Sequence, residues 1–554
     1  MTHSIWRRQA ADGEGSELRH VPAANKLAGR AARTCFLCAL LSSAVLAGVV
    51  GVLVAGICKG TGGQFAYPLD DTYIHMAIAK NLAFHGVWGV TEHEFTASSS
   101  SAIWPLMLAG LFRCFGLREW FPLALNLLCA FGVCLFVGSE MLLKGARWWR
   151  VLALQMALIF LIPLAVIVTG GMEHSLHILL SLVFLVRSAE ELLLPDKRWG
   201  YWLPLVTALM VGARFEGMFF VLTVALLFVV KGHITRALAL LAAGAVPVLL
   251  QGAISVTHGW YWLPNSLLAK SELTAGTQWG VLLPFSWSVV ESLLSAPHLL
   301  VLAVLVLGAA ILDVARNHSF WRPRPVTSAV VLSGLALHLR YAELGWLYRY
   351  EAYLMGALLL VLALPEPGSR QPLQGRSRVT AIVLSVLLAL CLTPLLSRSK
   401  LAHENTVRAG LLRYYGHVLP SRFLAQSARG RPIVLNDLGA VAYYTPSKVL
   451  DLCMLGSLYP LQRFRTKGVF SRADCEQWAR SENAACAFLN KAWGHELTLV
   501  PQSWLHAASM QVTVDGEQEM YDFYVMNGGD AADLRQALVR FMSNESSGSH
   551  VVVK

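Results

Sequence analysis

Long uninterrupted apolar runs are the feature that most restricts how this chain can fold. The first run is Cys35–Ile57, and similar runs recur up to residue 396. Over 554 residues, 55% are hydrophobic and only 14% are charged, with a mean hydropathy of +0.53. A water-soluble chain could not bury so many apolar side chains, whereas a bilayer accepts roughly 20 apolar residues per helical crossing. The sequence therefore predicts a multi-pass membrane protein with the lipid bilayer as a partner.

The charges support this interpretation. The formal net charge is +11, and Lys and Arg cluster in short loops between apolar runs, which is typical of loops on the cytoplasmic side. The sequence lacks a basic stretch interleaved with aromatic residues on a polar surface, so nucleic acid is excluded as a partner. The further apolar segments lie approximately at residues 101–117, 121–142, 150–169, 174–193, 201–213, 217–230, 237–256, 298–314, 326–340, 350–364 and 378–396.

These runs predict a topology of about eleven crossings. The basic residues 1–34 indicate a cytoplasmic tail, so the first helix, which is too long for a cleaved signal peptide, places Cys58–Ser100 on the outer face. If both 101–117 and 121–142 cross, the basic loop that follows lies outside, against the charge rule. Two alternatives remove this conflict: either 101–117 is a surface or re-entrant helix, or 201–230 is one long span.

Residues 397–554 differ in character and predict an extracytoplasmic soluble α/β domain, which leaves 35–396 as the membrane domain. The stretches "PIVLN", "KVLDL" and "LTLVP" resemble strands, and "MQVTVDGEQEMYDFYVM" predicts a hairpin turning at Asp515-Gly516. The last residues, "SNESSGSHVVVK", look like a loose tail. The cysteines lack the Cys/His spacing of a zinc site. A Cys475–Cys486 disulfide is compatible with an oxidising outer compartment.

Adjacent carboxylates, Asp70 and Asp71, begin a predicted helix that continues to about residue 83 in the first outer loop. Its apolar residues recur with helical spacing and indicate a helix lying along the membrane surface. Asp is a preferred helix N-cap residue, but capping requires only one carboxylate. The second acid therefore makes a functional role as plausible as a structural one.

Other ionisable groups interrupt apolar segments, where their burial is costly unless they pair or line a watered cavity. Glu173 and His174 lie at the outer end of one span, and Arg214 and Glu216 lie between two short runs, where a structural ion pair is the alternative. Arginines on the outer face are not explained by topology, and guanidinium groups suit phosphate. The candidate substrate-binding residues are His75, Glu173, His174, Arg214, Glu216, Asn265, Lys270, Arg340, Tyr348 and Arg349.

The order of these motifs resembles that of the GT-C superfamily of integral-membrane glycosyltransferases, which use polyprenyl-phosphate sugars as donors. "LDDTYIHMAIAKNLAFHGVWGV" is similar to the acidic motif of their first extracytoplasmic loop. "GGMEHSL", "ARFEGMFFV", "LPNSLLAKS" and "YRYEAYL" resemble the GMET, RPEG, PN…AK and RY motifs of the bacterial branch that includes terminal arabinofuranosyltransferases. "VLNDLGAVAYYTPSKVLDLCMLGS" (434–457) is similar to a motif in the soluble domain of that branch.

The resemblance implies a mainly α fold, with a polytopic GT-C-like membrane domain and the C-terminal soluble α/β domain, in a bacterial inner membrane. It implies that Asp70 is the general base for an acceptor hydroxyl and that Asp71 supports it. The acceptor class (glycan, protein or lipid) is left open, and the sugar suggested is arabinofuranose. The resemblance makes no cofactor certain, although some members bind a divalent cation. Arg-Phe-Glu-Gly and Glu-His depart from the branch pattern of Arg-Pro-Glu-Gly and Glu-Thr.

Two other functions fit the same residues. A transporter or flippase of lipid-linked sugars would also need acids and cations on the outer face. A non-enzymatic envelope scaffold would use the C-terminal domain to bind partners, and it predicts that no internal cavity separates the first outer loop from residues 340–350.

Overall fold

A computed structural model describes residues 21–194, 200–265, 268, 287–365, 378–492, 497–526, 530–545 and 550–554. Most of these residues are helical, and a small sheet lies near the C-terminus. The helices up to residue 365 are α1 (Val21–Gly60), α2 (Asp70–His85), α3 (Ile103–Phe115), α4 (Phe121–Leu143), α5 (Trp148–Leu161), α6 (Leu164–Gly170), α7 (His174–Leu193), α8 (Trp202–Ala213), α9 (Met218–Val230), α10 (Ile234–Thr257), α11 (Trp287–Ser295), α12 (Pro297–Asn317), α13 (Pro323–Tyr341) and α14 (Ala352–Ala363).

The remaining elements follow a 36-residue helix, α15 (Arg378–Arg413). They are a π-helical turn (Tyr414–Val418), α16 (Leu419–Ser427), β1 (Ile433–Leu435), α17 (Gly439–Tyr444), β2 (Val449–Asp451), α18 (Leu458–Lys467), α19 (Arg472–Ser481), β3 (Cys486–Asn490), β4 (Leu505–Val514), β5 (Glu517–Val525), α20 (Ala531–Glu545) and β6 (Val551–Val553). We call residues 414–554 the C-terminal unit. The domain boundary predicted at residue 397 falls inside α15, so a continuous helix leads into this unit.

Four described helices are long and apolar enough to cross a membrane, namely residues 31–60 of α1, α4, α10 and α12. The pair α5 and α6, bent by 53°, adds a fifth if it counts as one span. These helices are consistent with a multi-pass membrane protein. By length and composition the described residues give fewer spans than the predicted eleven, because several apolar segments form shorter helices.

The two alternatives that would remove the topological conflict concern residues 101–117 and 201–230, which form shorter helices. Helix α3 has only 13 residues, which is too few for a full crossing. Residues 201–230 form two helices rather than one long span, because Arg214 is extended and a short 3-10 turn, Phe215–Gly217, separates α8 from α9. Residues 201–230 therefore do not form one continuous helix.

The sheet of the C-terminal unit has the strand order β2-β1-β3-β5-β4-β6. Strand β1 is parallel to both β2 and β3, and the other pairs are antiparallel. The strands predicted from "PIVLN" and "KVLDL" are confirmed as β1 and β2. The predicted hairpin is confirmed as β4 and β5, with Asp515 and Gly516 at positive φ (48° and 83°), as expected for a two-residue hairpin turn.

Three sequence expectations for the C-terminal unit are wrong. Described residues of "LTLVP" lie in a turn rather than a strand. The expected loose tail contains β6, which pairs with β4 through Val551. Cys475 and Cys486 are buried and free, so the proposed disulfide does not form. The two side chains contribute to different hydrophobic clusters.

Helix α2 is buried on nearly all sides rather than lying half exposed. Ile74, Ala77 and Ile78 are buried as the pattern predicts, but His75 and Ala79 are buried too. The reason is that α2 packs between α3 and α17, so that its apolar residues and those of the sheet, such as Phe488 and Phe523, belong to one continuous core.

This core yields a stability prediction. Phe523 is fully buried and lies 4.9 Å from the Phe488 ring and 6.1 Å from the Phe423 ring. We expect Phe523→Ala to cost about 3–5 kcal/mol of stability through lost burial and the cavity that remains. Thermal unfolding of the full-length chain in detergent measures the change. Val552→Ala, on the half-exposed edge of β6, is the control, and an equal effect of both substitutions would contradict the assigned core.

Candidate functional site

Asp70 anchors the start of α2 against the C-terminal unit. Its carboxylate accepts hydrogen bonds from the backbone N–H groups of Gly439 (2.5 Å) and Ala440 (3.0 Å), which begin α17. The His417 Nδ1 atom lies 3.3 Å from Asp70 Oδ1, and the Asp70 side chain is 12% exposed. Asp70 therefore sits at an interface, bound by groups that are more than 340 residues away in sequence.

His417 connects Asp70 to a second carboxylate. Its Nε2 atom lies 3.4 Å from Asp437 Oδ2, and the Arg413 guanidinium lies 3.8 Å from the same oxygen. His417 belongs to the π-helical turn, and such turns often occur at functional sites. We call Asp70, His417 and Asp437 the Asp–His–Asp group.

The two carboxyl groups have opposite electrostatic environments. Burial alone would raise the pKa of Asp70, but the hydrogen bond and the charge of His417 outweigh burial and hold that pKa well below its ordinary value. Burial, together with the nearby charge of Asp70, raises the pKa of Asp437 to about 7 despite the opposing effects of His417 and Arg413. Asp70 is therefore ionised at neutral pH, and Asp437 loses its proton at a higher pH than an ordinary aspartate does.

The Asp–His–Asp group could also hold a metal ion. One ligand atom from each residue lies within 4.8 Å of the others. Two carboxylates and an imidazole form a donor set that suits several divalent metals. The residues present therefore fit the divalent cation that the family resemblance leaves open, with the ion held between α2 and the C-terminal unit.

Asp71 contacts a different part of the molecule. Its carboxylate forms an ion pair with Arg349, whose side chain is only 3% exposed, whereas that of Asp71 is 40% exposed. Arg349 also donates to the Tyr350 hydroxyl (3.2 Å) and lies over the Tyr350 ring at 4.7 Å. The two adjacent acids thus face different partners: Asp70 binds the C-terminal unit, and Asp71 binds the loop before α14.

Arg214 joins two further predicted residues. It donates to Glu173 at 2.8 Å and to Glu216 at 2.6 Å. His75 Nδ1 lies 3.7 Å from the other oxygen of Glu173. The ion pair between Arg214 and Glu216, which the sequence analysis gave as the structural alternative, is present. Arg214 also forms an ion pair with Glu173, which lies just before α7.

Tyr350 links the two arginines. The Arg214 guanidinium lies 5.4 Å from its ring centroid, and the His174 ring lies 6.2 Å from it. We call the combined set the buried polar cluster. Its members are Asp71, His75, Glu173, His174, Arg214, Glu216, Arg349 and Tyr350.

The glycine pair before Glu173 permits this convergence. Gly171 has φ of +75°, and a Cβ at this position would lie 2.6 Å from the Tyr67 ring and 2.7 Å from Thr72. Thr72 also donates to the Gly170 carbonyl at 2.5 Å. A side chain at Gly171 would therefore separate α2 from the segment that carries Glu173.

Several buried atoms of the cluster lack a hydrogen-bond partner among the described residues. They are His75 Nδ1, Glu173 Oε2, both ring nitrogens of His174 and Arg349 Nε. Buried polar groups are nearly always satisfied in folded proteins. The cluster therefore has hydrogen-bonding capacity for a polar ligand or for water.

A strained loop positions Arg349. Trp346, Leu347 and Tyr348 all have positive φ (42°, 56° and 60°), a conformation that non-glycine residues rarely adopt. Arg398 of α15 holds this loop by donating to the Tyr348 carbonyl (3.0 Å) and to Glu351 (2.5 Å). Tyr348 therefore contacts Arg398 rather than the buried polar cluster.

The other predicted site residues lie elsewhere. Asn265 donates to the Met454 carbonyl at 2.7 Å and its backbone N–H donates to Ala97 at 3.1 Å, which links the first loop to the C-terminal unit. Arg340 lies over the Tyr341 ring at 5.3 Å. Lys270 lies outside the described residues.

Sequence reasoning missed His417, Asp437, Arg398 and the role of Tyr350. Asp437 belongs to the quoted segment 434–457, which could have indicated it. His417 and Arg398 carried no comparable signal, because each lies in a helical segment whose partners are distant in sequence.

The contact between Asp70 and Gly439 can be tested directly. A Cβ at Gly439 would lie 2.6 Å from Asp70 Oδ2 and 2.8 Å from Asp70 Cγ. We expect Gly439→Ala to lower the melting temperature of the full-length chain, through overpacking that typically costs about 1–3 kcal/mol. Gly110→Ala in α3, where a Cβ meets nothing within 4 Å, is the control and should be neutral or slightly stabilising. An unchanged melting temperature for Gly439→Ala would contradict the interface.

Comparison with known families adds one match. A family model described as a domain of unknown function (DUF8728) matches residues 406–526, less than a quarter of the chain. In a comparison with curated proteins, none matches. The matched segment contains His417 and Asp437 but not Asp70, so this chain is similar to that domain over the part that contacts the start of α2.

Proposed function

We propose that this protein is a membrane glycosyltransferase that moves a sugar from a polyprenyl-phosphate donor to an acceptor hydroxyl on the extracytoplasmic face. One observation carries the proposal. Motifs at residues 70–75, 173–174, 214–216 and 349–350, separated by long apolar stretches, contribute to one buried polar cluster beside Asp70. If each motif had only a structural role of its own, the four motifs would not need to meet.

The cluster supports binding of a phosphate. Arg349 and Arg214 are almost fully buried, with side chains 3% and 9% exposed, and the planar guanidinium group can bind two phosphate oxygens. Arg349 keeps its Nε hydrogen available. Because the Asp71 side chain is 40% exposed, a donor phosphate would displace Asp71 from Arg349 at little cost in burial.

Asp70 supports the role of general base. Asp70 is ionised near neutral pH, as a proton acceptor must be, and its lowered pKa makes it a weaker base than an ordinary aspartate. Among the described residues Oδ2 accepts a hydrogen bond from Gly439, and a carboxylate oxygen can accept a second donor. Asp70 would take the acceptor hydroxyl proton while the new glycosidic bond forms and the bond from the sugar to the phosphate breaks.

The geometry also relates the base to the phosphate site. Asp70 and Asp71 are consecutive in α2, so their Cα atoms are about 3.8 Å apart. Asp71 contacts Arg349, whereas Asp70 faces the C-terminal unit. In this proposal the donor lies on the side of the buried polar cluster and the acceptor enters between α2 and the C-terminal unit. The acceptor is a glycan, protein or lipid, the sugar that the resemblance suggests is arabinofuranose, and a bacterial inner membrane is the proposed location.

Substitution of the acids tests the base assignment. We expect Asp70→Asn to reduce transfer from a polyprenyl-phosphate sugar by about 10²–10⁴-fold, the usual contribution of a general base. Asp71→Asn should chiefly change the KM for the donor. Purified protein in lipid nanodiscs, a radiolabelled donor and a covalently glycosylated product give the readout, and melting temperatures exclude misfolding.

Asp70→Glu keeps a carboxylate at this position. It therefore distinguishes loss of the base from loss of the contact between α2 and the C-terminal unit. Near-normal turnover by folded Asp70→Asn would reject Asp70 as the base. Movement of labelled lipid across the bilayer without a glycosylated product would instead favour a flippase.

The phosphate site has its own test. We expect Arg349→Gln to raise the KM for the donor at least about tenfold, because charge-assisted hydrogen bonds contribute roughly 1.5–3 kcal/mol. Arg340→Gln is the matched control, because Arg340 lies against Tyr341 rather than Asp71. Equal donor KM values for both variants would contradict the assignment of Arg349.

A further inference from the structure

A concavity lies at the far end of the interface between α2 and α17. It has a volume of about 340 Å³, within the range of small-molecule sites. We call it the distal cavity. Its lining residues are Lys80, Asn81, Phe84, His85, Thr91, Glu92, Leu117, Ala442, Tyr444, Thr445 and Pro446.

The distal cavity and Asp70 belong to the same pair of helices. The start of α17 meets Asp70 through Gly439, and Lys80 Nζ donates to the Tyr443 carbonyl at 2.5 Å near the end of α17. The two helices therefore run side by side in the same direction. Ten residues of α2 separate Asp70 from Lys80, a distance of about 15 Å along the helix.

The lining combines apolar and polar surfaces. The side chains of Phe84 and Leu117 are 47% and 43% exposed, so each presents an uncovered apolar face. His85 and Glu92 form a pair at 3.1 Å, and both are partly exposed. Aromatic rings pack well against apolar faces, whereas paired polar groups suit hydroxyls.

The charges indicate which ligand fits. Lys80 and Glu92, which carry opposite charges, both line this one small cavity. A site for phosphate would concentrate positive charge, whereas this lining has both signs together with the hydroxyl-bearing Thr91. This composition suits a neutral, polyhydroxylated ligand with one apolar face.

We propose that the distal cavity binds sugar residues of a glycan acceptor, at a distance from the hydroxyl that reacts at Asp70. This inference rests on the proposed function and selects a glycan among the acceptor classes. Two contact regions on one interface would let the chain distinguish long acceptors from short ones, because only a long acceptor reaches both.

Substitution of Phe84 and Glu92 tests this proposal. We expect Phe84→Ala and Glu92→Gln each to raise the KM for a hexasaccharide acceptor about tenfold, while the kinetics with the corresponding disaccharide stay unchanged. Phe320→Ala, which removes another partly exposed phenylalanine outside the cavity, is the matched control. Equal effects on long and short acceptors, or no effect on either, would overturn the proposal.

Direct binding separates this inference from the proposed function. Saturation-transfer NMR on the full-length protein in detergent, with arabinan, mannan and galactan hexasaccharides as probes, needs no turnover. We expect at least one probe to bind the wild-type chain and to lose binding in Phe84→Ala. If none binds, or if an anionic phospholipid binds there instead, the distal cavity is not a glycan site. Absence of any sugar transfer by the wild-type chain, with binding intact, would reject the enzymatic proposal alone.

Discussion

Pairing of buried charges is the constraint on which the rest of this structure depends. Arg214 is shared between Glu173 and Glu216, Arg398 holds Glu351, and Arg349 holds Asp71. Leaving one member of a buried pair such as Arg214–Glu173 or Arg398–Glu351 without its partner typically costs about 3–5 kcal/mol. The side chain of Asp71 is 40% exposed, so this cost does not extend to it. Apart from Arg214–Glu216, each pair joins two segments that are distant in sequence, and together they determine where the loop carrying Arg349 lies relative to α2.

Helix α2 connects these ion pairs to the C-terminal unit. Its first residue is held by the N–H groups of Gly439 and Ala440 and by His417, and its second residue is held by Arg349. Two neighbouring carboxylates thus bind two different parts of the molecule. The paired acids, which capping alone did not explain, have a structural reason to be adjacent. In the proposed function this adjacency would also place a base beside a phosphate site.

The family match lies almost entirely within the C-terminal unit. The matched segment begins within α15 and ends after β5, and it contributes both His417 and Asp437 to the contact with Asp70. This unit supplies two members of the Asp–His–Asp group. The proposed glycan site in the distal cavity, lined by both α2 and α17, extends the same relationship along the interface.

Much of the candidate site was predictable, because costly residues in apolar surroundings stand out in sequence. Glu173 and Arg214 were identified in this way, and both are buried. Asp70 and Asp71 were identified as adjacent acids that capping did not explain, and Arg349 as a cation on the predicted outer face. Asn265, Arg340 and Tyr348 were equally conspicuous but contact other groups. An ionisable residue near a membrane indicates that a partner is required, and it does not identify the partner.

The sequence alone determined the features that depend on local pattern: the apolar helices, strands β1 and β2, and the hairpin at Asp515-Gly516. Only the tertiary structure decided that α2 is enclosed, that the final residues add a strand, and that His417 and Asp437 face Asp70. Helical spacing and turn chemistry act over a few residues and can be seen in sequence. Ion pairs and sheet edges join residues hundreds of positions apart, and their partners emerge only when the chain is folded.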